Sequence, residues 1–224
     1  MNTLVRYYNF RLENTRPCRL ARELTCFEFL VLTILNQNTS DVLADKALRN
    51  LWTRFGRPLM PEVLANCDLN ELADLIRVSG MYRRKAGTIV SLARSLLSMG
   101  GENYLEIAPV SEIVNLLRSV KGLGEKSIDV FLLFKRDYPT FPIDTHIRRV
   151  CSRLGLSENS SYLRLREYFV RQLGPDVNLL RLAHLVLIHH GRAVCRASSP
   201  KCDSCPINVQ CRFFLRRRRS GLDT

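Results

Sequence analysis

The sequence predicts an all-α protein of two lobes, and three observations carry the helical part of that prediction. Apolar residues recur at helical spacing along almost the whole chain, no stretch alternates like a half-buried strand, and no motif repeats at solenoid length. Glycines, prolines and polar clusters punctuate the periodic stretches where helices stop and start. With 224 residues the chain can bury a sizeable core as one large domain or two small ones, and two are expected.

From the N-terminus, residues 1–24 read as a basic, irregular arm with Arg6, Arg11, Arg16, Arg19 and Arg22 among polar residues. Residues 27–55 read as two apolar helices broken at Asn36-Gln37-Asn38-Thr39-Ser40-Asp41, where Thr39, Ser40 or Asp41 can cap the second. Residues 64–97 supply further amphipathic helices joined at Gly80-Met81-Tyr82-Arg83-Arg84-Lys85-Ala86, where a solvated basic turn is the plain reading. Gly100-Gly101 and Pro109 mark loops. Helices follow at 145–154, 162–173 and 179–190, separated by a polar turn at residues 157–161 and by the stop Gly174-Pro175. The tail Arg216-Arg217-Arg218-Arg219 reads as a solvated end.

The net charge of +13 and a pI near 9.8 imply a polyanionic partner, nucleic acid before an anionic membrane. No apolar run is long enough to span a bilayer, and the first residues lack the apolar core of a signal peptide, so a soluble intracellular protein is expected. Eight cysteines in such a chain argue for metal binding rather than a disulfide framework, hyperthermophiles excepted. Cys18, Cys26, Cys67 and Cys151 are scattered and read as free thiols. Cys195, Cys202, Cys205 and Cys211 have the spacing C-x6-C-x2-C-x5-C in a segment too short and polar for its own core. Four thiolates held this close suit a tetrahedral zinc or a cubane iron-sulfur cluster, and spacing alone favours zinc at least equally.

The stretch from Leu116 to Asp144 carries the candidate chemistry. Val114, Leu116, Leu117 and Val120 recur at helical spacing, Lys121-Gly122-Leu123-Gly124 interrupts, and Ile128, Val130, Phe131, Leu132 and Phe134 resume an apolar face. Two helices joined by a tight turn follow, with glycines at 122 and 124 that permit backbone angles closed to other residues and leave the amides uncovered beside a helix N-terminus, a corner that binds phosphate. Lys126 lies in the first turn of the second helix, where the macrodipole disfavours an ammonium and should lower its pKa. A lysine that loses its proton is an amine nucleophile able to form a Schiff base, although position alone suits an ordinary solvated lysine better. Asp144 precedes a helical stretch and reads as its N-cap, a role compatible with stabilising positive charge on a sugar.

These residues carry a resemblance. Leu117-x-x-Val120-Lys121-Gly122-Leu123-Gly124-Glu125-Lys126-Ser127, followed by Ile143-Asp144-Thr145-His146-Ile147-x-Arg149-Val150, resembles the helix-hairpin-helix and Gly/Pro-Asp loop of the endonuclease III family of DNA glycosylases. The resemblance runs from about Phe27 to Cys211. It implies that the hairpin at Gly122, Leu123 and Gly124 grips the DNA backbone, that Lys126 attacks C1′ of the damaged nucleotide, that Asp144 assists, and that His146 contacts DNA. Lys121 stands where the family commonly has proline. Asn38 holds the place of the glutamine that enters the space left by the extruded nucleotide, with Gln37 adjacent, and Met81 holds the place of the apolar wedge in a second hairpin. Arg83, Arg84 and Lys85 would then face phosphates. The cysteine spacing after His190-Gly191 is similar to the family's 4Fe-4S loop, which decides for the cluster over zinc.

The resemblance further implies a helical barrel of residues 25–138, beside a second lobe joining residues 1–24 to 139–224 with the cluster loop at 195–211, and DNA across the cleft between them. The function it implies is a base-excision-repair DNA glycosylase and AP lyase. Its substrate is duplex DNA with damaged bases, oxidised pyrimidines first, or abasic sites. Glycosylases of mismatched thymine or uracil opposite guanine, or of alkylated purines, are the alternatives on the same fold, and a non-catalytic DNA-binding protein is the alternative of a different class. A monomer is expected, in the cytoplasm by the nucleoid or in a eukaryotic nucleus.

Overall fold

The structure, a computed structural model, describes residues 1–156 and 160–219, so Ser157, Glu158 and Asn159 of the expected polar turn lie outside the described residues. Among the described residues there are helices and no strand. Two compact units result: residues 1–15 with 139–224, and residues 16–138. The chain opens on α1 (Asn2–Tyr8) in the first unit, then α2 (Arg16–Glu23) begins the second.

The second unit is built around α3 (Cys26–Leu35), all ten residues of which are buried, as a helix apolar on every side must be. Its start is fixed reciprocally: Thr25 Oγ1 accepts from Glu28 N at 3.2 Å and the Glu28 carboxylate accepts from Thr25 N at 3.1 Å. Glu28 is 1% exposed, and its other oxygen accepts from Trp52 Nε1 at 2.7 Å and Leu59 N at 3.0 Å, so this buried carboxylate is fully employed in structure. Ser40 caps α4 (Asp41–Phe55) through Leu43 N. α5 (Pro61–Asn66), α6 (Leu69–Leu75), α7 (Tyr82–Leu97), α8 (Asn103–Ile107), α9 (Val110–Ser119) and α10 (Glu125–Lys135) complete the unit. α10 lies against α3, with Phe29 and Phe131 rings 6.5 Å apart, and each large apolar side chain buried there contributes about 1.5–3 kcal/mol. Residues 16–24, expected with the other lobe, pack here instead, because Lys135 Nζ donates to the carbonyls of Ala21 and Leu24 at the end of α2, and Arg16 pairs with Asp41 and Asp45.

In the first unit, α1 packs on α13 (Val177–Ala193), so the expected irregular arm is helical at its start. Tyr8 meets the His189 ring edge-on at 4.6 Å, and its hydroxyl lies 2.8 Å from His190 Nδ1. α11 (Thr145–Leu154) crosses α13 at Gly191, where a Cβ would stand 2.8 Å from that of His146. α12 (Tyr162–Leu173) closes the core by stacking Phe169 on Phe141 at 4.1 Å. The basic tail forms a last helix, α14 (Arg212–Arg219), anchored by buried Phe214.

Candidate active site

The hairpin between α9 and α10 is held from inside its unit. Gly122 has φ 104°, a left-handed conformation, and a Cβ there would stand 2.2 Å from Thr88 Oγ1. Thr88 Oγ1 lies 3.0 Å from the Lys121 carbonyl, and Gln37 Nε2 donates to the Gly122 carbonyl at 3.0 Å and to Ser127 Oγ at 3.3 Å. Gly124 does not use a glycine's freedom of angle: its φ of −95° and ψ of 167° suit any residue, and nothing lies within 4 Å of a Cβ placed there. Its value is therefore the open space it leaves beside the backbone at the start of α10. Leu123 is 6% exposed, so it can meet a ligand only through its backbone. Arg118 donates to Glu125 across the turn through two hydrogen bonds, 2.7 and 3.1 Å, an exposed pair that links the two helices.

Lys126 sits in the first turn of α10 with an exposed side chain, directly after this turn. In the same unit, Asn38 and Met81 meet, with Asn38 Nδ2 3.7 Å from Met81 Sδ. Both are exposed, and both adopt left-handed backbone, φ 52° and 48°. Gln37 faces the hairpin, so of the two neighbouring amides the outward one is Asn38. Lys85, expected to face phosphate beside Arg83 and Arg84, is instead 2% exposed, and burial pushes its pKa down to about 8. Arg83 and Arg84 are exposed.

In the other unit, Asp144 is half-buried and caps α11, accepting from Ile147 N at 2.7 Å. His146 Nδ1 lies 3.0 Å from Arg149 Nη2, and burial holds its pKa below the usual value against the opposing charge of Asp144. Arg149 also donates to the carbonyls of Cys195 at 2.9 Å and Gly191 at 2.8 Å, tying α11 to the cysteine loop. His184 is a core histidine, 3% exposed with Nδ1 3.0 Å from the Pro142 carbonyl.

Cys195, Cys202, Cys205 and Cys211 line one pocket whose walls include Val150, Leu154, Val194, Ile207 and Phe214. Burial first, then the neighbouring cysteines, push the Cys202 and Cys205 thiols up, while Arg217 and Arg153 oppose this at Cys202. Arg153 Nη1 lies 3.3 Å from Cys195 Sγ, and His190 Nε2 lies 3.7 Å from Cys205 Sγ. Among the described residues no group of three or more His, Cys, Asp or Glu is already set as a metal site. The donor chemistry fits a group bound by four thiolates: at Cys202 and Cys205 burial and the neighbouring cysteines disfavour the charged sulfur, and a cation among them would reverse that. Among the described residues, no helix is long and apolar enough to cross a membrane.

The profile of the HhH-GPD superfamily base excision DNA repair proteins matches residues 31–175. Endonuclease III of Sulfolobus acidocaldarius is 37% identical over 190 residues, 84% of this chain and 82% of its own length. Endonuclease III of Thermotoga maritima is 30% identical, covering 88% and 87%. The structure of a trapped endonuclease III–DNA covalent intermediate in an estranged-adenine complex superposes with a TM-score of 0.78 at 26% identity, over 97% of this chain and 95% of that one.

Proposed function

The chain belongs to the HhH-GPD superfamily of base excision DNA repair proteins, and from that premise we propose a bifunctional DNA glycosylase and AP lyase that removes oxidised pyrimidines from duplex DNA. The observation that carries the reading is Lys126, exposed in the first turn of α10 directly behind a turn whose carbonyls are held from within. The hairpin fixes the phosphate backbone, and the field of a chain with net charge +13 draws the duplex in.

A base in the stack shields C1′, so the nucleotide must first leave the duplex, which a damaged base does at lower cost. Asn38 and Met81, paired and outward, occupy the space it vacates. The Lys126 amine then attacks C1′: the C1′–N bond to Nζ forms as the glycosidic bond breaks, and the base leaves with a proton. The sugar ring opens to a Schiff base, a proton is lost from C2′, and the C3′–O bond breaks to release the 3′ phosphate. Asp144 stabilises the cationic sugar. His146 contacts DNA from the first turn of α11.

Cys195, Cys202, Cys205 and Cys211 would hold a 4Fe-4S cluster, which when bound substitutes for a hydrophobic core and keeps the loop at 195–211 folded. A brown protein with broad visible absorption is expected, and a colourless one holding zinc counts against the cluster.

Borohydride trapping tests the chemistry. Wild-type protein should form a covalent adduct with thymine-glycol and abasic duplexes, and Lys126→Ala should form none. Binding without adduct in the wild type identifies a non-catalytic DNA-binding protein, and an adduct in the variant moves the nucleophile elsewhere. A panel of single-lesion duplexes separates oxidised pyrimidines from mismatched thymine, uracil and alkylated purines.

A further inference from the structure

The buried amine of Lys85 joins the two turns that carry Asn38 and Met81. Its Nζ donates to the Leu35 carbonyl at 2.8 Å and to the Ser79 carbonyl at 2.6 Å. Leu35 is the last residue of α3, three residues before Asn38, and Ser79 stands two before Met81. The backbone amide of Lys85 donates to the Met81 carbonyl at 3.0 Å, so one residue pins the Met81 turn at two carbonyls and the Asn38 turn at a third. At 2% exposure this lysine cannot itself reach a phosphate.

A lysine at a helix C-terminus is a common way to satisfy terminal carbonyls, and α3 gains that here. An ordinary cap does not explain why the same amine reaches a second segment. Asn36 Oδ1 is buried with no hydrogen-bond partner among the described residues, so the first side chain of the Asn38 turn does not fasten it. Gln37 is turned to the hairpin. The outward contact between Asn38 and Met81 joins two short left-handed turns from segments 43 residues apart, and Lys85 fixes the backbone beneath both.

We propose that Lys85 is a positioning residue that registers Asn38 against Met81, so that the two enter the duplex as one probe when a base is extruded. The proposal rests on the glycosylase reading above, and it assigns Lys85 to extrusion rather than to chemistry at C1′. Misplacing a positioned group by about 1 Å can cost roughly a hundredfold in rate. Cleavage at a preformed abasic site has no base to extrude and should be nearly indifferent.

The test compares single-turnover rates at saturating enzyme on thymine-glycol and abasic duplexes. Lys85→Met should slow base removal by about tenfold or more while changing abasic cleavage by less than about threefold. Lys85→Gln, which restores N–H donors on a shorter stem, should recover part of the loss. Asn38→Gly and Met81→Gly keep the left-handed backbone, and in the Lys85→Met background their effects on base removal should be much smaller than in the wild type. Equal slowing of both reactions by Lys85→Met, fully additive effects, or unchanged base removal would each overturn the proposal. Failure of both Lys85 variants to fold overturns it as well, since the lysine would then serve the core. A wild type inert on both duplexes instead removes the glycosylase reading, and this proposal with it.

Discussion

Gln37 donates from Nε2 to the Gly122 carbonyl at 3.0 Å, a contact between residues 85 apart in sequence that fastens the hairpin to the end of α3. The neighbouring amide, Asn38, faces outward to Met81. Adjacent side chains thus have opposite duties, and single substitutions should separate them. Gln37→Ala loses two part-buried hydrogen bonds and should lower stability by about 1–2 kcal/mol while weakening binding to any duplex. Asn38→Gly keeps the backbone angle and should change stability by less than about 0.5 kcal/mol, yet slow base removal. Urea midpoints and single-turnover rates check both, and the reverse pattern would give the gap-filling duty to Gln37.

Gly122 and Gly124 should respond differently to alanine. At Gly122 the new Cβ would stand 2.2 Å from Thr88 Oγ1 at φ 104°, combining overpacking with left-handed strain, a loss of about 3 kcal/mol. Thr88→Ala in the same chain should recover the steric part and leave the backbone part. Gly124→Ala meets nothing within 4 Å and should cost about 0.5–1 kcal/mol, its main effect being weaker DNA binding as the methyl covers the start of α10. Thermal unfolding and DNA titration distinguish the two outcomes.

The hairpin and the helical class are legible in the sequence because they rest on local signals: period, glycine punctuation and caps. Lys85 is not, because Arg83-Arg84-Lys85 reads as one solvated basic run. Its helical phase is the available signal, since positions 85, 89, 92 and 96 share a face and Ile89, Leu92 and Leu96 are fully buried. The membership of residues 16–24 is likewise hidden, because it depends on Lys135, Asp41 and Asp45, more than twenty residues away. The opposite facing of Gln37 and Asn38 turns on one left-handed residue, which an asparagine permits but does not announce.

Asp144 combines a structural duty with a proposed electrostatic one, and two substitutions separate them. Its Oδ1 accepts from Ile147 N at 2.7 Å. Asparagine caps as well as aspartate, so Asp144→Asn should keep stability within about 0.5 kcal/mol, whereas Asp144→Ala should lose about 1 kcal/mol. Both remove the carboxylate charge. Base removal and borohydride trapping should therefore fall together in both variants, by on the order of a hundredfold, the usual scale for one removed electrostatic group. A fall confined to Asp144→Ala would assign the residue to the cap alone.

Lys85 supplies a pH dependence whose sign can be worked out. Its pKa is pushed down to about 8 in the folded protein from an ordinary 10.5, because burial penalises the ammonium. Between those values the unfolded chain keeps a proton that the native protein has released, so the unfolded state binds more protons and native stability rises with pH across the window. Below pH 8 both states are protonated and the contribution is flat. Lys85→Met lacks the titration, so the stability of wild type minus variant should grow from pH 8 towards 10.5, by at most roughly 3 kcal/mol. The other titrating groups cancel in that difference. A neutral amine still offers two N–H donors, one for each of the Leu35 and Ser79 carbonyls, so the Asn38 and Met81 turns should stay in register as the proton leaves. Urea unfolding of both proteins at pH 7 and 9.5 decides it. A difference that stays constant would mean that the two carbonyls hold the proton on the native lysine.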